Sequence, residues 1–152
     1  MSSNTQVSFG VRDERIFNDA HLVVADHSHG IAKANLNNIL YHALAWWVRL
    51  SPGDRGDYRS EDYRFVDNGS LNVKMGDLPT FALTIRSVEL WAGLEEVVAE
   101  DATSRARVLF DALGAFLLLD TATRERIAHE NEAVYGDSPR VGRPRTNDFP
   151  QT

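Results

Sequence analysis

The sequence predicts an α+β fold. A small antiparallel sheet, including a three-stranded meander at about 62–85, packs against one helix at about 31–50 and a C-terminal helical group at about 87–135. Three observations carry this reading. Ala106 to Leu119 (ARVLFDALGAFLLL) is the longest nearly unbroken apolar run, and Leu109, Ala112, Leu113, Phe116 and Leu117 fall on one face of a 3.6-residue period. Asn68-Gly69 between two alternating segments asks for a type I′ turn, whose two central residues need positive φ. Thr80 to Ile85 (TFALTI) alternates at the period of a strand.

Taken in order, Val7–Val11 reads as a short strand and Arg12–Arg15 as a charged turn. Ala20–Ala25 (AHLVVA) reads as a strand because its centre is β-branched. A polar corner from Asp26 to Gly30 leads to a helix that starts between Ser28 and Asn35 and ends at Leu50. Its inward face is Leu36, Ile39, Leu40, Ala43, Leu44, Trp47 and Leu50. Pro52-Gly53 stops it, and 51–61 reads as a solvated loop. After the meander, Ser87–Ala99 is a helix with Leu90, Trp91, Leu94, Val97 and Val98 inward. Asp101, Thr103 or Ser104 can cap the apolar helix that follows. Asp120 and Thr121 supply a stop and a new cap. The last helix, 122–135, then places Ile127, Ala128, Val134 and Tyr135 inward and Arg124, Glu125, Glu130 and Glu132 outward. Residues 1–136 form one domain in this reading, and 137–152, with three prolines and no apolar period, a flexible tail.

Composition narrows the function. The net charge of −6 disfavours general binding to a phosphate backbone, so nucleic acid is not an expected partner. The chain contains no cysteine, which excludes disulfide scaffolds, thiolate metal sites and cysteine nucleophiles. The first ten residues have neither a basic nor an apolar stretch, so a cytoplasmic protein is expected. The apolar run at 106–119 is too short for a bilayer, which takes ~20 apolar residues.

Four candidate sites stand out. His21, Asp26, His27 and His29 could hold a divalent metal. Alternate residues of an extended segment point the same way, so His27 and His29 could share an ion, with Asp26 orienting one of them. A polar turn with a helix cap accounts for the same residues. The helix face with His42, Trp46 and Arg49 combines the residue types enriched at binding hot spots, although burial of Trp46 within the fold would equally explain it. The loop carrying Tyr58, Arg59, Tyr63 and Arg64 could stack on and pair with an anionic ligand, but neighbouring acids neutralise it. In the tail, Gly142-Arg143-Pro144-Arg145 resembles part of an AT-hook, with Val141 standing where that motif has its first arginine.

The function expected from these features is non-enzymatic. The protein would bind another macromolecule, a protein of unknown identity, as small acidic inhibitors, immunity proteins or anti-defence factors do, and it would need no cofactor. The surplus apolar surface of 106–119 also points to a homo-oligomer. The alternative is a metal-dependent hydrolase using His21, His27 and His29.

Overall fold

A computed structural model describes residues 5–10, 14–26, 35–63 and 80–135. Over these residues the chain is mostly helical, with six helices and one pair of short strands, which corrects the α+β expectation. The order is β1 (Thr5–Gly10), α1 (Glu14–Asp26), α2 (Leu36–Trp47), α3 (Pro52–Tyr58), β2 (Thr80–Ile85), α4 (Val88–Asp101), α5 (Arg105–Leu117) and α6 (Thr121–Tyr135). β1 and β2 are antiparallel, with Thr5 opposite Ile85 and Gly10 opposite Thr80. The TFALTI strand therefore exists, and Phe81, Leu83 and Ile85 are buried at period two. Its described partner is the N-terminal segment. The rest of the expected meander, the Asn68-Gly69 turn included, and the 137–152 tail lie outside the described residues.

Two further expectations are corrected. Ala20–Ala25 is not a strand but the second half of α1. Ile16, Ala20 and Val23 are buried and Phe17 and Val24 half-buried, a helical stripe that overrides the local β-preference of Val23-Val24. The loop at 51–61 contains α3.

α5 is the centre of the molecule. It packs against α2, β1, α4 and α1, and every residue from Val108 to Leu117 is buried. The apolar surface that pointed to a homo-oligomer is thus covered within one chain, by residues such as Leu40, Leu44, Trp47 and Leu94. Only Leu118, at 51% exposure, leaves the corner apolar.

The helix starts are fixed by side-chain oxygens that accept otherwise unpaired backbone N–H groups. Asn35 accepts from Asn38 at 2.9 Å, Ser87 from Leu90 at 3.1 Å, Ser104 from Arg107 at 3.2 Å and Asp120 from Thr123 at 2.8 Å.

The buried stripe of α6 is Arg124, Ile127, Ala128 and Asn131, a clean i, i+3, i+4, i+7 pattern. Arg124 was expected outward and Val134 inward; the two are exchanged. Arg124 turns back to donate to the carbonyls of Leu117 and Leu119, at the negative end of α5. Burial lowers its pKa from the ordinary arginine value. This contact closes the tight α5–α6 corner.

Candidate functional site

Five residues of the expected binding surface, Trp46, Arg49, Tyr58, Arg59 and Tyr63, gather on the two sides of α3. Ser51 starts this helix by accepting from the Asp54 N–H at 3.1 Å, and Pro52 sits in its first turn, where no intrahelical N–H is needed. Seven residues do not make a stable helix on their own. What holds α3 is Arg55, a loop residue by sequence that is only 1% exposed.

The Arg55 guanidinium makes a two-pronged contact with Asp101, from Nε at 2.9 Å and Nη2 at 3.0 Å. It also donates to Glu100 at 2.6 Å and to the Leu50 carbonyl at 2.5 Å. The hydrogen bonds from Arg55 hold the Asp101 carboxyl below the usual carboxylate range, and the same contacts raise Arg55. Arg59 extends the chain of charges. It donates to Asp101 and to Asp111 on α5, each at 3.2 Å, and Arg107 donates to the other Asp111 oxygen at 3.0 Å. α3 is thereby tied to the end of α4 and the first half of α5.

On one side of α3, Trp46, Tyr58, Leu50, Leu119 and Ile127 line a groove of about 230 Å³, with Arg49, Arg126 and Glu130 at its edges. Trp46 is 6% exposed and meets Tyr58 edge-on, with ring centroids 5.1 Å apart. Tyr58 is 45% exposed. Arg49 donates to the Ala45 carbonyl at 3.2 Å and to the side-chain oxygen of Asn131. Asn131 in turn donates to Nδ1 and to the carbonyl oxygen of His42, at 3.0 and 3.1 Å. With Nδ1 accepting, the proton of a neutral His42 lies on Nε2. His42 is therefore a fully buried strut between α2 and α6, not a surface group.

On the other side lies a more open cleft of about 540 Å³, where Arg15, Arg59, Arg107 and Tyr63 face Glu61 and Asp62. The Tyr63 hydroxyl donates to Asp19 at 2.6 Å, and its ring lies where a Cβ on Gly114 would approach to 3.2 Å. Burial first, and then the bond to Asp19, raise its pKa. The mixed charges of this cleft leave little net field for an anion.

The structure thus brings Trp46, Arg49 and Tyr58 to one groove and Arg59 and Tyr63 to the neighbouring cleft, and it withdraws His42. Arg64 lies outside the described residues, as do His27 and His29. The remaining metal candidates do not converge. His21 is exposed on α1 and stacks edge-on against Phe17, with centroids 4.6 Å apart. Asp26 accepts from the Thr121 hydroxyl at 2.9 Å and pairs with Arg124 at 3.5 Å. Among the described residues no group of three histidine, aspartate or glutamate side chains could hold an ion.

Sequence reading missed Arg55, Asp101, Arg126 and Asn131. The Ser-Pro start of α3 was a usable signal, because Ser51 with Asp54 three residues on is a helix-start pattern. Asn131 was visible only by letting a polar residue occupy the inward stripe of α6.

The groove is smaller than the ~300–1,000 Å³ of ordinary small-molecule sites, and suits one protruding side chain better than a cofactor. Among the described residues no helix is long and apolar enough to cross a membrane. Compared with family models, curated proteins and solved structures, the chain matches none of them.

Proposed function

We propose that this protein works by binding another protein through the groove beside α3, as an inhibitor or immunity-type factor does, without chemistry of its own. The observation that carries the reading is Tyr58. It is a half-exposed aromatic set edge-on against the buried Trp46, above a groove flanked by two arginines. Tyrosine, tryptophan and arginine in a partly desolvated recess are the residues on which binding energy concentrates. The ion-paired Arg55 holds that recess in shape before any partner arrives, which lowers the ordering cost of association.

The test is affinity capture from the cell of origin with three baits: the wild type, Tyr58→Ala and Arg126→Glu. Both substituted residues are exposed, and although Tyr58→Ala uncovers one edge of Trp46, neither touches the ion pairs of Arg55. The reading expects a partner whose affinity for Tyr58→Ala falls by about 2 kcal/mol, the size of a hot-spot loss, while the variant stays folded by circular dichroism with a melting temperature lowered only by the lost contact to Trp46. A partner held equally well by all three baits would move the binding surface elsewhere.

A further inference from the structure

We infer that the groove beside α3 takes one large apolar side chain of the partner with a carboxylate next to it. This rests on the protein-binding reading and names the chemistry of the segment that fills the groove. The apolar part follows from the lining: Trp46 and Ile127 are buried, Leu50 and Leu119 half-buried, and together they enclose about 230 Å³.

The carboxylate follows from Arg49. Arg49 is an exposed residue, yet its guanidinium is fixed by two part-buried hydrogen bonds, and both acceptors are neutral: the Ala45 carbonyl and the Asn131 side-chain oxygen. Asn131 is itself anchored on His42, so the whole arm is positioned from the core outward. Among the described residues Arg49 and Arg86 have no carboxylate partner, and of the two Arg49 is the one at the groove, whereas Arg55, Arg59, Arg105, Arg107, Arg124 and Arg126 each have one. A guanidinium has five N–H donors, so two bonds leave part of the fork for a ligand. The second cation, Arg126, is paired with Glu130 four residues on, at 3.1 Å on an exposed helix face. Such surface pairs are weak, and Arg126 can turn to an arriving carboxylate at little cost. Two guanidiniums against one carboxylate make the groove edge locally cationic on a chain whose net charge is −6.

The probes are three pentapeptides that place phenylalanine beside aspartate, asparagine or lysine in an otherwise glycine sequence. Each is titrated by NMR against the full chain, Arg49→Gln and Arg126→Glu. The aspartate peptide should shift the amide signals around Trp46, Tyr58 and Ile127 and bind about fivefold more tightly than the asparagine peptide, as a charge-assisted bond at a half-exposed site allows. Arg49→Gln should remove most of that preference, leaving only the part that Arg126 supplies, while leaving the asparagine peptide's affinity unchanged. Arg126→Glu should narrow it and improve the lysine peptide. Equal affinity for all three peptides, a preference for lysine in the wild type, or no shift at the groove would each overturn the inference. The protein-binding reading would survive those results if Tyr58→Ala still released the captured partner, so the two failures can be told apart.

Discussion

α5 and α3 are held in place by opposite means. α5 is surrounded by apolar side chains, and its stability comes from area removed from water, a force without direction that tolerates small changes in neighbouring positions. α3 has one buried side chain, and that side chain is charged. Its position is set by the direction of a few hydrogen bonds from Arg55 to Asp101, Glu100 and Leu50. The first arrangement gives strength. The second gives a defined geometry to a short segment that carries Tyr58 outward and Arg59 toward Asp111, and leaves that segment sensitive to anything that titrates or removes a charge.

The sharpest way to break the comparison is a charge in the apolar helix. Leu113 is fully buried on α5. Leu113→Asp should cost more than about 4 kcal/mol, as an unpaired buried carboxylate does, and leave no folded protein by circular dichroism. A soluble variant with the wild-type melting temperature would mean that α5 is not central.

Arg55→Ala strikes the other region. It removes the two-pronged contact to Asp101, which is 13% exposed, and leaves that carboxylate only its bond from Arg59, so it should destabilise by about 2 kcal/mol in denaturant titration. The more exposed Glu100 can return to water and contributes less.

Acid should act on the same contact. Hydrogen bonds from Arg55 depress the folded-state pKa of Asp101 below its unfolded value of ~3.9. The stabilisation is therefore complete above the unfolded value and is lost as pH falls through the folded one. Asp101→Asn should cost about 2 kcal/mol at pH 7, and the gap to wild type should shrink as pH drops below about 4. A gap that stays constant with pH would show that the carboxylate charge does not hold α3.

The smallest expected effect is a gain. Ala102 ends α4 at φ 53°, a left-handed conformation that a Cβ disfavours. Ala102→Gly should raise stability by about 0.5–1 kcal/mol, since relief of strain exceeds the added freedom of the unfolded chain. Loss of stability there would mean that the alanine methyl makes a contact worth more than the strain.

The same contrast explains what the sequence revealed. α5 was legible because an apolar stripe is a repeating signal, and so were α2, α4 and the TFALTI strand. α1 was misread because its first two residues, Glu14 and Arg15, fell in the charged turn and Ile16 to Asp19 were assigned to no element, so only its β-branched end was weighed. α3 and half of the inward face of α6, the half without Ile127 and Ala128, were missed because the buried residues concerned, Arg55, Arg124 and Asn131, carry no hydrophobic signal. Each is buried only by virtue of partners distant in sequence, such as Asp101 for Arg55 and His42 for Asn131. Of the candidate site, Trp46, Arg49 and Tyr58 were found by residue type. The groove that joins them was not, because it depends on α6 lying across the end of α2.

Native-state hydrogen exchange as a function of denaturant tests the contrast most directly. α3 buries little apolar area, so the Arg55 and Arg59 amides, which donate to Ser51 and Arg55, should exchange through a local opening of low free energy and shallow denaturant dependence. The amides of Leu113 to Leu117 in α5 should exchange only through global unfolding, with the full dependence. Two separate isotherms are the predicted result. A single isotherm shared by α3 and α5 would contradict the account, because it would make the ion-paired helix as much a part of the cooperative core as the apolar one.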